Sequence, residues 1–135
     1  MKILLVDDER HIVEILARKL IALGYDTTTA CNGEDALGKL RAGKFTLVVT
    51  DLDMPKMNGI ELVKSMSRDV TLAKVPVIIL TARGFLASSM ELRSVVATLA
   101  KPFSARKVID LVCSHLASAS GAGRDEAGGA AEVPA

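Results

Sequence analysis

"FTLVVTDLDMPKMNG", residues 45–59, decides how the rest of the chain is read. Leu47, Val48 and Val49 form a short continuous apolar run, the pattern of a parallel strand covered on both faces. The run ends at Asp51; Asp53, Pro55 and Gly59 follow. An unpaired buried charge is expensive. A carboxylate at a strand tip therefore calls for a cation, for hydrogen-bond donors, or for a reaction that uses it.

Working outward from this stretch, strands and helices alternate. "KILLV" (2–6) is another continuous apolar run. Residues 9–23 read as a helix, with Ile12, Ile15, Leu16, Leu20 and Leu23 at helical spacing and Gly24 as its stop. "YDTTTA" (25–30) reads as an edge strand, Asn32-Gly33 as a turn, and residues 34–43 as a short helix with Ala36, Leu37 and Leu40 inward. After the 51–58 loop, residues 59–68 form a third helix with Ile60, Val63 and Met66 toward the core. "VPVIIL" (75–80) is a fourth strand, with Pro76 tolerated at its start. Residues 85–94 read as a fourth helix, 96–100 as a fifth strand, and 104–117 as a fifth helix capped by Ser104. Five βα units predict an α/β fold: a doubly wound, five-stranded parallel sheet with helices on both faces.

Composition fits one such domain. The chain has 135 residues, half of them apolar, a net charge of +1 and a mean hydropathy of +0.34. That balance marks neither a nucleic-acid nor a membrane surface. No apolar run approaches the roughly 18 residues that a membrane span requires, and the N-terminus is too short and acidic for a signal peptide. A cytoplasmic location is expected, with Cys31 and Cys113 as reduced, small core residues. The domain is expected over 1–117. The remainder, 118–135, is dominated by Ala, Gly and Ser with almost nothing to bury, and reads as a disordered tail.

In an open α/β sheet, ligands bind at the carboxyl ends of the strands. Asp7 and Asp8 stand at the end of the first strand, Asp51 at the third, Thr81 at the fourth and Lys101-Pro102 at the fifth. Converging carboxylates repel unless a proton or cation intervenes. Oxygen ligands without His or Cys suit a hard ion such as Mg²⁺. With a lysine charge and a threonine hydroxyl nearby, the rim describes a pocket for a phosphoryl group, and a carboxylate can itself accept one as an acyl phosphate.

"LLVDDE", "VVTDLDMPKMNGIEL", "VIILTA" and "AKPF", in this order, resemble the receiver domain of two-component response regulators over about residues 2–117, of the single-domain type seen in chemotaxis. The resemblance implies strand order 2-1-3-4-5 in a flavodoxin-like three-layer sandwich. It implies that Asp51 accepts a phosphoryl group from a histidine kinase or a histidine phosphotransfer protein. Asp8 and Asp51 would bind Mg²⁺ through side-chain oxygens and Asp53 through its backbone carbonyl, with Asp7 ordering a metal-bound water. Thr81 and Lys101 would hold the phosphoryl oxygens, and the Lys101-Pro102 bond would be cis. Such a chain is a signalling phosphoacceptor rather than an enzyme. Its output would be contact with a downstream protein, or with a second copy, through the face of the fourth helix, fifth strand and fifth helix. Receivers usually carry an aromatic three residues before the lysine; Thr98 stands there, so switching is expected without an aromatic rotation. Three other readings remain: a receiver excised from a larger regulator, a degenerate receiver that only binds partners, and an enzyme. The last rests on D-x-D with later Thr and Lys, which is also similar to haloacid-dehalogenase-type phosphatases. Those place the motif after the first strand.

Overall fold

The computed structural model describes residues 1–81, 94–100 and 104–122. The expected helix over 85–94, Lys101-Pro102 with its cis bond, Phe103, and the tail beyond 122 lie outside the described residues. Among the described residues nine elements follow in chain order: β1 (Lys2–Val6), α1 (Arg10–Ala22), β2 (Asp26–Ala30), α2 (Gly33–Ala42), β3 (Leu47–Asp51), α3 (Gly59–Ser67), β4 (Val77–Thr81), β5 (Val95–Ala100) and α4 (Ala105–Ala122).

All five strands pair in parallel, in the order β2-β1-β3-β4-β5. The chain runs from β1 to β2 on one side and then crosses back to β3 on the other. This reversal opens a crevice at the carboxyl ends of β1 and β3, the standard place for a ligand in such a sheet. β3 and β4 are buried at every position, which is why their sequences are continuous rather than alternating.

Successive side chains of a strand point to opposite faces, and the core divides accordingly. Ile3, Leu5, Leu47, Val49, Ile78 and Leu80 pack against α1 and α4. Leu4, Val6, Val48, Val77 and Ile79 pack against α2 and α3. Each fully buried aliphatic side chain contributes about 1.5–3 kcal/mol, so the two layers hold the strand ends in a fixed register.

α1 buries Val13, Leu16, Ala17 and Leu20, while Ile15 and Leu23 are 47% and 56% exposed. The expected stripe is therefore rotated. Positions 13, 16, 17 and 20 follow i, i+3, i+4, i+7, whereas 15 and 23 fall off that line. In α3, Leu62 joins Val63 and Met66 in the core, and Ile60 is only half-buried. Asn32-Gly33 is a helix start rather than a free turn: the Asn32 side chain accepts from the Asp35 backbone N–H at 2.8 Å. Ser104 caps α4 as expected, accepting from the Lys107 N–H at 3.2 Å. That helix continues to Ala122, past the boundary expected at residue 117. Ala is a strong helix former, and continuing a helix costs less than starting one.

Candidate functional site

β1 and β3 are registered Val6 to Thr50. The next residue on each is Asp7 and Asp51, so the two acids stand side by side at the crevice. Both are nearly sequestered, at 5% and 3% exposure, and Asp8 beside them is exposed. The three residues each offer a carboxylate oxygen within 4.8 Å of the others. At an effective dielectric of 20, a pair of full charges at that separation repels by roughly 3 kcal/mol. Three such charges favour a divalent cation. The donor set is oxygen only, which suits Mg²⁺ and not zinc.

Hydrogen bonds to the backbone hold Asp7 and Asp51. The Asp7 N–H donates to Ala30 O at 3.1 Å, and the Asp7 carboxylate accepts from the Glu9 N–H at 2.9 Å. The Thr50 hydroxyl donates to the Asp51 carbonyl at 2.9 Å. β4 is registered Asp51 to Leu80, so Thr81, 2% exposed, ends its strand one step beyond Asp51. Lys101 lies outside the described residues.

The 52–58 loop carries Asp53, which is exposed. The loop is pinned where it joins α3: the Gly59 N–H donates to Leu52 O at 2.9 Å. A Cβ at Gly59 would lie 2.6 Å from Asp51 O, so only glycine lets α3 start this close to the strand tip. Asn58 and Glu61 form a reciprocal capping box at 2.8 and 2.9 Å. Lys56 adopts a left-handed backbone, φ 69°, which costs a non-glycine residue about 1–2 kcal/mol.

A cleft of about 370 Å³ opens beside the acids, lined among others by Asp7, Asp8, Arg10, Cys31, Asp35 and Lys39. Cys31 is exposed there and Cys113 is half-buried; both are free thiols. The expectation of a core Cys31 fails because the residue follows the last position of β2, on the rim. Burial works to raise the Asp35 carboxyl, but the Cys31 backbone N–H and the Lys39 ammonium outweigh it and hold the group below the usual carboxylate range. His11 is exposed and joins no cluster of metal-binding groups among the described residues. Sequence reading missed Cys31, Arg10 and Lys39 as rim residues. Their only sequence signal is proximity to a strand end. No helix among the described residues is long and apolar enough to cross a membrane.

Comparison with known proteins agrees with this geometry. Residues 3–113 match the sequence profile of the response regulator receiver domain. The chain is 46% identical over 83 residues to a transcriptional regulatory protein CpxR homolog of Haemophilus influenzae, covering 62% of this chain and 35% of that protein. It is 35% identical over 116 residues to the response regulator protein FleR of Pseudomonas aeruginosa, covering 84% of this chain and 24% of that protein. The chain thus spans about a third or less of the length of these curated relatives. Among solved structures, a Francisella response regulator receiver domain superposes with a TM-score of 0.74 at 31% identity, covering 87% of this chain and 98% of that one. The Thermotoga maritima response regulator TrrA, solved in complex with Mg²⁺-BeF, gives 0.71 at 32% identity, covering 84% and 96%.

Proposed function

The chain belongs to the response regulator receiver domain family, and from that premise we propose that Asp51 is its phosphoacceptor in an Mg²⁺-dependent reaction. Receiver domains are phosphoacceptor signalling domains, phosphorylated by histidine kinases or phosphotransfer proteins, and they bind Mg²⁺ at an acidic pocket. The observation that carries the assignment is the convergence of the Asp7, Asp8 and Asp51 carboxylates at the crevice between β1 and β3.

In this reading an Asp51 carboxylate oxygen attacks the phosphorus of a phosphohistidine. The P–N bond breaks, the imidazole leaves with the bonding pair and takes up a proton, and an acyl phosphate remains. Asp8, Asp51 and the Asp53 carbonyl would hold the metal, and Asp7 would order a water beside it. Bound Mg²⁺ supplies charge neutralisation between the acids and the phosphoryl oxygens. Thr81 donates its hydroxyl to the phosphoryl group and Lys101 supplies the balancing charge. The fixed backbone contacts around Asp7 and Asp51 leave little to reorganise during transfer. The chain promotes its own phosphorylation and dephosphorylation and turns over no separate substrate.

We assign the output to a protein partner, or a second copy, docking on the face that carries β5 and α4, where Leu99, Lys107 and Leu111 border an open groove. A cytoplasmic setting follows from a kinase donor. The phosphatase reading loses its footing because D-x-D follows β3 and the family match covers both strand tips.

The test is intact mass after incubation with a small phosphodonor and Mg²⁺. Wild type should gain one phosphoryl group and Asp51→Asn none. Equal gain in both proteins would reject Asp51 as the acceptor, and turnover of a generic phosphate monoester would restore the enzyme reading.

A further inference from the structure

Gly33 opens α2 and is buried. Its backbone lies outside the left-handed region, so conformation does not require glycine there. Space does. A Cβ on Gly33 would lie 2.6 Å from Met57 Cγ, 2.6 Å from the Met57 carbonyl oxygen and 2.8 Å from Met57 Cβ. The Gly33 N–H donates to that same carbonyl at 3.1 Å. The first residue of α2 therefore touches the 52–58 loop backbone to backbone. The Gly33–Met57 joint is one of several points that hold the loop, with the Leu52 N–H donating to Leu80 O, the Met57 N–H to Pro55 O and the Gly59 N–H to Leu52 O, and with Lys56 in the left-handed region.

We infer that Gly33 is a positioning residue for metal binding, acting through Met57 on the loop that carries Asp53. The inference rests on the Mg²⁺-dependent reading above. Mg²⁺ demands near-ideal octahedral geometry at short distances and tolerates little ligand displacement. A side chain at residue 33 must push the Met57 carbonyl away, and the loop that would supply the Asp53 carbonyl moves with it. The effect is on affinity for the metal, not on the acid that reacts.

Three proteins test this: wild type, Gly33→Ala and Gly38→Ala. Gly38 lies in the same helix with nothing within 4 Å of an added Cβ, so its variant reports helix propensity alone. Mg²⁺ affinity is read by calorimetry, independently of any phosphoryl transfer. Gly33→Ala should raise the Mg²⁺ Kd roughly tenfold, the range in which supporting groups around a metal act. Gly38→Ala should leave it unchanged, and labelling of Gly33→Ala at saturating Mg²⁺ should reach the wild-type plateau. A folded Gly33→Ala with wild-type affinity overturns the proposal.

If that variant does not fold, wild type decides. Coupling is reciprocal, so Mg²⁺ must slow hydrogen exchange at the Gly33 amide, and unchanged exchange overturns the proposal. Wild type that binds Mg²⁺ but gains no phosphoryl group removes the phosphoacceptor assignment, while the affinity comparison still decides Gly33. Wild type that takes up no Mg²⁺ removes both.

Discussion

The sheet has two edges, and they are finished differently. β2 pairs with β1 over five consecutive residues without a shift. Its ends are tied as well: the Asp26 N–H donates to Met1 O, the Asp7 N–H to Ala30 O, and the Lys39 ammonium to Thr29 O. Its sequence, DTTTA, is polar. β5 is apolar, VVATLA, and its pairing with β4 slips between Val77 and Ile78, leaving Val96 as the extra residue, 44% exposed. The stitched edge lies beside the acids that are proposed to hold a small cation. The slipped edge lies on the side where a partner is proposed to dock.

The contrast can be broken by substitution. Leu40, 1% exposed, is the largest of the fully buried α2 side chains and shares a core cluster with Ala30 of the stitched edge. Leu40→Ala should lower unfolding free energy by about 2–5 kcal/mol in urea titrations. A cost below about 1 kcal/mol would mean that this edge is not anchored through α2. Next in size is the metal. Mg²⁺ at a hundredfold excess over its Kd should stabilise wild type by about 2.7 kcal/mol. Asp8→Asn should lose most of that response, while being more stable than wild type without Mg²⁺ because one repulsive charge is gone. Thermal melts with and without Mg²⁺ read both signs, and an undiminished response in Asp8→Asn would move the metal elsewhere.

Smaller effects sharpen the comparison. Lys39→Met removes the ammonium that reaches Thr29 O and Asp35, and should cost about 1 kcal/mol. A neutral result would leave the stitching to the backbone alone. On the other edge, Val96→Thr should change stability by less than about 0.5 kcal/mol and leave phosphoryl labelling intact. A large loss there would show that β5 is as tightly built as β2.

The sheet was legible because buried strands must be written as continuous apolar runs, and β1, β3 and β4 are. The acids were legible because strand order brings the ends of adjacent strands together, so Asp7, Asp8 and Asp51 could be placed before any coordinates. Helix faces were less legible. In α1 more than half of the positions are apolar, and whether Ile15 or Val13 faces inward depends on where the sheet and α4 lie. Ala17 is small and gives no signal, yet it is buried. The joint between Gly33 and Met57 was not legible. It joins residues far apart in the chain, and a glycine beside an asparagine reads locally as a turn.

The caps of α2 and α3 carry a consequence for the lifetime of the protein. Both are Asn-Gly pairs, Asn32-Gly33 and Asn58-Gly59, the dipeptide most prone to deamidate through attack of the glycine nitrogen on the asparagine side chain. In each pair that nitrogen is occupied, by Met57 O at Gly33 and by Leu52 O at Gly59. Each asparagine side chain is held in turn by the backbone N–H three residues on. Ring closure would have to break two hydrogen bonds at once, at sites where glycine itself cannot be exchanged without a clash. The same contacts that set the rim of the pocket thus shield its two most perishable peptide links from chemical ageing.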